Sequence, residues 1–232
     1  MLNPETPAEF DQFATDYRQT LNEGLRYTGE SPDYFARRRI AWLRRRLGRR
    51  ADEASRRVLD FGCGIGDSLP LLRDVLGAQQ VVGTDTSVAM LAQARHRQPW
   101  APIALPSDLT GLGTFSLVYC NGVFHHIPPH ERPQVLWRIR EMLSPDGVLA
   151  FWENNPWNPG TRFIMRRVPF DRNAEPLSAP AAQQLLRATG FRVERTDHLF
   201  VFPSVLRALR PMEPLMARWP IGGQYLVLAR RT

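Results

Sequence analysis

A chain of 232 residues with 43% apolar content can bury one substantial core, and its length favours one domain over two. No apolar run reaches the roughly eighteen residues of a membrane-spanning helix, and the N-terminus MLNPETPAEF lacks the basic-then-apolar order of a secretory signal. We therefore expect a soluble, cytoplasmic protein.

The formal net charge of +7 comes from arginine alone, because all 30 basic residues are arginine and lysine is absent. Residues 36–57 hold ten of these arginines against two acids. We interpret this stretch as a solvated helix face over a buried stripe of Ile40, Leu43 and Leu47. An anionic lipid surface or an acyl carrier protein is left open as its partner. Nucleic acid is disfavoured, since no recognition-helix pattern or aromatic-interleaved basic strand accompanies the charge.

Two helices are predicted first, at about 8–25 and 31–47, the second with Ser31 as N-cap and Pro32 at its first position. Short β-branched runs then alternate with helical patterns. The predicted strands cover 56–61, 80–85, 101–108, 115–120 and 147–153, and the helices between them cover 67–76, 87–96 and 130–143. Alternation of this kind predicts an α/β, doubly wound fold with a mostly parallel sheet covered on both faces.

The chain after the fifth strand is less regular. An irregular segment is followed by a predicted helix at 179–189 and a strand at 191–201. A proline-broken apolar stretch, 199–220, precedes a last strand, QYLVLAR. This stretch could cover the core, cover an apolar substrate, pack on a second subunit or touch a membrane surface, and the first of these is favoured.

The segment VLDFGCGIGDS places glycines at 62, 64 and 66 between a strand ending at Asp60 and a helix. Glycines here allow a sharp turn and let a ligand approach the N–H groups at the helix N-terminus. A nicotinamide-binding fingerprint would need glycine at position 67, which is Asp67.

Two further acids end the next two predicted strands. Asp85 lies nineteen residues after Gly66, where a carboxylate can bind both ribose hydroxyls of an adenosine ligand, and Asp108 can accept from an adenine amino group. Ligands of open parallel sheets bind beyond the carboxyl ends of the strands. We therefore expect Asp60, Asp85 and Asp108 to converge on one crevice.

The stretches VLDFGCGIG, VVGTDTS, PSDL and FSLVYCNGVFHHI resemble, in order and spacing, the motifs of class I S-adenosylmethionine-dependent methyltransferases. The resemblance implies a Rossmann-like, seven-stranded sheet whose last strand is antiparallel, and S-adenosyl-L-methionine as cofactor. It implies roles for four groups of residues: Asp60, Gly62, Cys63, Gly64 and Gly66 at the methionyl part, Asp85 and Thr86 at the ribose, Ser107, Asp108 and Leu109 at the adenine, and Asn121 and Gly122 beside the sulfonium.

The outer segments resemble a small-molecule subset of that family. GESPDYFARRR precedes the core and ENNPWNP follows strand five, with Asn154 where the resemblance leads us to expect histidine. We expect a single domain over 1–232, with an N-terminal helical cap at 1–50, a cofactor-binding core at 56–153, and a substrate-side segment with the C-terminal strands at 154–232.

Methyl transfer from a sulfonium needs alignment and exclusion of water, and it needs a general base only when the acceptor loses a proton. The candidates for catalytic residues are His125, His126 and Glu153, and at most one of the two histidines is expected to face the substrate. Tyr17 either closes over the cofactor or belongs to the core. The predicted substrate contacts are Asn154, Asn155 and Trp157.

His126 and His130 are four residues apart, a spacing that would place both on one helical face. Pro128 and Pro129 between them deny that geometry, so no metal site is predicted.

The sequence thus predicts S-adenosylmethionine-dependent methyl transfer to a small, partly hydrophobic metabolite, with O-methylation slightly favoured. The alternatives are another reaction of the same cofactor, or a non-catalytic cofactor-binding subunit; a nicotinamide oxidoreductase is disfavoured by Asp67. The expected partner is a small-molecule acceptor, the chain being a monomer or a homodimer, without a membrane span but with peripheral membrane contact left open.

Overall fold

The computed structural model describes residues 9–54, 56–109 and 111–232. The first residues of the predicted cap, 1–8, lie outside the described residues. Seven strands are found in the described ranges: β1 Arg57–Phe61, β2 Gln80–Thr84, β3 Ile103–Ala104, β4 Phe115–Asn121, β5 Leu143–Asn154, β6 Phe191–Leu199 and β7 Gln224–Arg231.

Helices precede, connect and follow these strands. The α-helices are α1 Tyr17–Leu25, α2 Pro32–Leu47, α3 Ala51–Ala54, α4 Leu69–Leu71, α5 Val88–Arg97, α6 Arg132–Met142, α7 Pro159–Met165, α8 Ala179–Ala188 and α9 Glu213–Met216. Short 3₁₀ segments include Glu9–Phe13, Arg26–Thr28, Pro106–Leu109, Phe124–His126, Pro169–Asp171 and Ser204–Met212. No helix of the described ranges is long and apolar enough to cross a membrane.

The strands form one sheet in the order β3-β2-β1-β4-β5-β7-β6. The first five pair in parallel, and β7 runs antiparallel to both β5 and β6. This confirms the predicted doubly wound, Rossmann-like sheet with an antiparallel last strand. In the register, Asp60 pairs with Gly83 on one side and Tyr119 on the other, so the ends of β1, β2 and β4 lie together.

Alternate residues of each strand enter two separate cores, because successive side chains of a strand point to opposite faces. Val58 and Tyr119 pack with α2 and α4 on one face. Leu59 and Cys120 pack with α6 and α8 on the other. Both faces of the sheet are therefore buried, which explains the near-continuous apolar runs of its central strands.

Helix α2 begins as predicted, with the Ser31 side chain accepting from the Tyr34 N–H and Pro32 in the first turn. Its buried stripe includes Ile40, Leu43 and Leu47, as expected. The arginine face is not wholly solvated, since Arg46 donates at 2.6 Å to the fully buried Asp197. The arginine-rich stretch therefore also fastens the cap to the sheet.

Two predicted elements differ from the structure. The predicted helix at 8–25 is interrupted: a 3₁₀ turn at Glu9–Phe13 is separated from α1 by a turn at 14–16. The third strand is reduced to Ile103–Ala104, and Pro106 opens a 3₁₀ turn directly after it. Proline has no N–H to extend a ladder, and Pro102 and Pro106 bracket this strand.

Candidate active site

A cavity of about 1880 Å³ opens at the carboxyl ends of β1, β2 and β4 and continues between the N-terminal cap and the C-terminal segments. The predicted site residues on its lining are Tyr17, Gly62, Gly64, Asp85, Thr86, Ser107, Asn121, Gly122, His125, His126 and Asn154. The predicted site residues away from its lining are Asp60, Cys63, Gly66, Asp108, Leu109, Glu153, Asn155 and Trp157.

The glycine loop turns against the cavity at two residues with positive φ. At Gly62 (φ +76°) an added Cβ would lie 2.3 Å from the Val123 side chain, so only glycine fits. At Gly64 (φ +53°) nothing lies within 4 Å of the place a Cβ would take. The backbone is therefore exposed to the cavity at Gly64, where a ligand can approach it closely.

Asp85 lies at the end of β2 and holds the glycine loop. One of its carboxylate oxygens accepts from the Gly64 N–H at 2.8 Å, and the other accepts from the Ser87 N–H at 3.0 Å. Burial raises the pKa of Asp85, while these backbone N–H groups lower it. The carboxylate also lines the cavity, where it can accept from a ligand hydroxyl.

Asp60 is 2% exposed, and its Oδ2 has no hydrogen-bond partner among the described residues. Burial and the nearby charge of Asp85 raise its pKa to about 8, against a lowering by Arg39. A buried carboxylate oxygen without a donor is costly. An incoming cationic or N–H-bearing ligand would relieve that cost.

Asp108 does not lie at a strand end as predicted. It belongs to the 3₁₀ turn Pro106–Leu109, is exposed, and accepts from the Ser107 hydroxyl at 3.0 Å. Leu109 packs in the core instead. Because Pro106 ends the strand early, it is Ser107 of this turn that reaches the cavity lining.

His125 lies between two carboxylates. Its Nδ1 is 2.5 Å from Glu153 Oε2, and its Nε2 is 3.5 Å from Asp171 Oδ1. The other oxygen of Glu153 accepts from the Phe124 N–H at 2.7 Å. His125 is 3% exposed and Glu153 is 1% exposed, so the pair is removed from water.

Burial by itself lowers the pKa of His125, but the charges and hydrogen bonds of Glu153 and Asp171 raise it to about 10. Burial acts to raise the pKa of Asp171, and its contacts with the two histidines bring that pKa below the ordinary value. At neutral pH the group is therefore an imidazolium held by two carboxylates, and a protonated ring cannot accept a proton.

His126 lines the cavity from the same 3₁₀ turn. Its Nε2 is 3.4 Å from Asp171 Oδ1, and its ring packs edge-on against Phe10 with centroids 4.8 Å apart. Three possible ligand atoms lie within 4.8 Å of one another: a ring nitrogen of His125, a ring nitrogen of His126 and a carboxylate oxygen of Asp171. They are close enough to hold a cation. A metal there would have to displace the proton that Glu153 and Asp171 stabilise on His125. His130 is 81% exposed and lies away from this group.

Aromatic rings from the cap cover the cavity. Tyr17 stacks on Phe170 with ring centroids 5.0 Å apart, and Phe10 and Phe13 pack against the same ring at 5.8 and 5.7 Å. Burial raises the pKa of Tyr17, as do the charges of Asp171, Asp67 and Asp85. Its hydroxyl therefore stays neutral and can act as a hydrogen-bond donor.

The three predicted substrate residues lie in different surroundings. Asn154 lines the cavity and accepts from Gln224 Nε2 at 3.0 Å. The Asn155 side chain is buried and donates to the carbonyls of Pro220 and Gly222 at 3.0 and 2.8 Å. Trp157 is 54% exposed beside a smaller, separate cavity.

The lining residues that no sequence motif predicted include Arg39, Phe170, Asp171 and Gln224. Arg39 donates to Gln224 Oε1 at 2.9 Å and to the Tyr119 hydroxyl at 3.3 Å. These residues come from α2, a late loop and the start of β7, and they carry no local motif. Only the assembled fold brings them to the strand ends.

A family model described as "Methyltransferase domain" matches residues 33–205. The chain belongs to this methyltransferase domain family. The match confirms the predicted resemblance to class I S-adenosylmethionine-dependent methyltransferases, whose cofactor is S-adenosyl-L-methionine. The residues present fit that cofactor, because the open space at Gly64 admits its methionyl group, the Asp60 oxygen without a donor suits its ammonium group, and the Asp85 carboxylate suits its ribose.

Similar proteins include trans-aconitate 2-methyltransferases from three bacteria. The protein from Variovorax paradoxus is 37% identical over 129 residues, covering 52% of this chain and 48% of that protein. The Rhodopseudomonas palustris protein is 35% identical over 175 residues (71% and 60%), and the Escherichia coli protein is 30% identical over 166 residues (63% and 62%). The chain thus spans about half to three fifths of the length of these relatives.

Solved structures with the same fold include magnesium protoporphyrin IX methyltransferase from Synechocystis with bound SAH. It shares 18% identity and a TM-score of 0.61, with 96% of each chain covered. A SAM-dependent methyltransferase from Archaeoglobus fulgidus shares 18% identity and a TM-score of 0.60, covering 83% of this chain and 94% of that chain. At this identity the likeness concerns the fold.

Proposed function

We propose that this chain transfers the methyl group of S-adenosyl-L-methionine to a small, partly apolar acceptor, with an oxygen of the acceptor favoured as the methylated atom. The observation that carries the proposal is the continuity of one cavity from the glycine loop and Asp85 to an aromatic chamber under the cap. Its volume of about 1880 Å³ exceeds the roughly 300–1,000 Å³ of a pocket for one drug-sized ligand. Room remains for an acceptor beside the cofactor.

The names of the relatives suggest trans-aconitate, a tricarboxylate, as one acceptor to test. The charged residues of the cavity lining argue for a less anionic one. Of the three arginines on the described lining, Arg39 donates to Gln224 and Tyr119, Arg210 pairs with Glu30 at 2.7 Å, and Arg138 is exposed. The acids on the same lining are Asp11, Glu30, Asp85, Glu131, Glu141 and Asp171. A neutral hydroxyl compound with an apolar body suits this lining better than three carboxylates do.

We propose His126 as the general base for such an acceptor. Its Nε2 is near Asp171, which would orient the ring and leave Nδ1 to take the acceptor proton. His125 and Glu153 would act by fixing the loop that carries His126, because both are buried and bonded to each other. Asn121 and Gly122 would border the transferred methyl group.

The second candidate is a cofactor-binding subunit without turnover. It is favoured by the contacts of three polar side chains, because His125, Arg39 and Arg210 already bind other residues of the protein. This candidate predicts tight binding of S-adenosylhomocysteine with no product from any acceptor.

The test is formation of S-adenosylhomocysteine by the purified chain in the presence of single acceptors: trans-aconitate, apolar alcohols, phenols, and amines as comparison. We expect product only when a hydroxyl-bearing apolar acceptor is present, and a loss of about 10²-fold or more in kcat for His126→Gln. His130→Gln serves as the matched control and is expected to keep turnover, because His130 is 81% exposed and lies off the cavity lining.

Tight cofactor binding without turnover against all acceptor classes would favour the second candidate. Binding of a nicotinamide dinucleotide instead of S-adenosylhomocysteine would overturn both. The expected cytoplasmic location and the monomeric or dimeric state stay predictions.

A further inference from the structure

The segment 203–221, between β6 and β7, exposes many of its large apolar side chains to solvent. Of the thirteen large apolar side chains exposed among the described residues, seven lie in this segment. We call these seven the apolar rim: Val205, Leu206, Leu209, Met212, Leu215, Trp219 and Ile221. Val205 and Leu215 are 85% and 82% exposed. A patch of this kind on a water-soluble surface marks an interaction site.

Two charged residues of the segment, Arg210 and Glu213, hold it against the protein, so that its apolar side faces outward. Glu213 is 2% exposed, pairs with Arg38 at 2.7 Å, and accepts from the backbone N–H groups of Val201 and Phe202. Arg210, three residues earlier, pairs with Glu30 at 2.7 Å. Residues three apart lie on one side of a 3₁₀ helix. Leu209 and Met212 therefore share another side, which faces solvent, and Leu206 is exposed at a kink just before them.

The apolar rim borders the mouth of the large cavity. Phe202, Pro203 and Arg210 line the cavity and come from the same stretch of chain. At the other end, the Asn158 side chain at the start of α7 donates to the Ile221 carbonyl at 2.8 Å. Phe163 of α7 packs on Tyr27 with ring centroids 5.3 Å apart, and both rings are exposed and line the cavity.

The charge around the rim is positive. Glu213 is the only acid in 203–221, and it is buried and paired, whereas Arg207 and Arg218 are exposed. Arg26 and Arg167 stack on Tyr27 at the far side of the mouth. Exposed apolar side chains interspersed with arginines are the chemistry that binds an anionic lipid surface, by burial in the headgroup region and attraction to lipid phosphates.

We propose that the apolar rim docks the protein on an anionic lipid surface, with the mouth of the cavity facing the lipid. The docking itself does not need the proposed function. Only its consequence rests on the proposed function: an apolar acceptor dissolved in the bilayer would enter the cavity directly between Phe202, Tyr27 and Phe163.

The test is co-sedimentation of the full chain with phosphatidylcholine vesicles, prepared with and without phosphatidylglycerol. We expect the wild type to bind the vesicles that contain phosphatidylglycerol. Val205→Glu and Leu215→Glu should each weaken binding by roughly tenfold or more, because each places a carboxylate on the face that would be buried in the lipid headgroup region. Arg207→Gln and Arg218→Gln should each weaken it about fivefold, and only with the anionic vesicles.

Trp137→Glu is the matched control, because Trp137 is 56% exposed on α6 and lies off the cavity lining. It should bind vesicles like the wild type. Calorimetric titration with S-adenosylhomocysteine should give the same affinity for all five variants, which verifies that each has folded.

Wild type that stays in the supernatant with anionic vesicles would overturn the proposal, and so would equal losses for Trp137→Glu and Leu215→Glu. If light scattering shows a dimer that Leu215→Glu converts to a monomer, while vesicles bind neither, the rim is covered by a second copy and the proposal is wrong. Vesicle binding without methyl transfer to any acceptor would leave docking intact and remove the proposed function instead.

Discussion

The cofactor side and the acceptor side of the cavity are built in different ways. The cofactor side consists largely of backbone at strand ends, where Gly64 and Asp85 are joined by one hydrogen bond across 21 residues. The acceptor side consists of side chains far apart in the chain: Arg39 reaches Gln224 across 185 residues. A site made from consecutive strand ends therefore has a local sequence signature, whereas a site made from long-range side-chain contacts has none.

The two sides meet at Glu153, His125 and Asp171. Glu153 is the second-last residue of β5, a strand of the central sheet, and Asp171 ends the 3₁₀ turn Pro169–Asp171 on the acceptor side. His125 contacts both carboxylates, and its carbonyl also accepts from the Glu175 N–H at 2.7 Å. Removing this link should therefore disturb the acceptor side while leaving the cofactor side folded.

Glu153→Gln is expected to give the largest change. It leaves the buried imidazolium with one carboxylate, and breaking a buried ion pair in this way costs roughly 3–5 kcal/mol. The melting temperature should fall by about 10 °C in differential scanning calorimetry. Glu194→Gln is the control, because Glu194 pairs with Arg230 at 2.6 Å near the surface, where such pairs contribute about 0–1 kcal/mol. An equal fall in melting temperature for both variants would show that the buried pair contributes no more stability than the surface pair.

The second expected change is in pH dependence. The folded-state pKa of His125, about 10, lies above the unfolded value of 6.5, so its contribution to stability is complete below pH 6.5 and is lost as pH rises through about 10. Between pH 6.5 and 9 the loss should be roughly 3 kcal/mol, at about 1.4 kcal/mol per pH unit. The pKa of Asp60 is also raised, to about 8, so its contribution to stability is likewise lost as pH rises, at a lower pH than for His125.

Urea unfolding at pH 7 and pH 9 measures this loss, and it should be smaller in Glu153→Gln than in the wild type. Nuclear magnetic resonance of labelled histidine separates His125 from Asp60, since the His125 ring should stay protonated to about pH 10. A His125 ring that titrates near pH 6.5 would contradict the assignment of an imidazolium.

The third change concerns the cofactor side. Asp85→Ala should weaken S-adenosylhomocysteine binding by about 100-fold, because it removes a charged acceptor for the ribose and releases the Gly64 N–H. His126→Ala should leave that affinity nearly unchanged. Isothermal titration calorimetry on both variants checks the order. The reverse order would mean that the ribose does not lie at Asp85.

The elements that were predicted correctly are those whose structure is decided by local patterns. Apolar runs and turn residues predicted the strands β1, β2, β4 and β5 and the cap at Ser31. The family resemblance predicted the antiparallel β7. The prediction that the third strand ends at Asp108 was wrong, because two prolines shorten β3 and move that carboxylate into an exposed turn. No sequence pattern predicted that Asp171 would contact both His125 and His126.

The sheet and the glycine turn at its edge follow from the sequence, since alternation of short apolar runs with helices dictates a parallel sheet and glycines dictate the turn. Only the tertiary structure decided the acceptor side. Whether His125 is a base or a fixed imidazolium depends on which carboxylates pack around it, and Glu153 and Asp171 reach it through folding alone. The orientation of the segment 203–221 likewise depends on tertiary contacts. Arg38 and Glu30 bind Glu213 and Arg210 on its inner side, so the apolar side faces solvent.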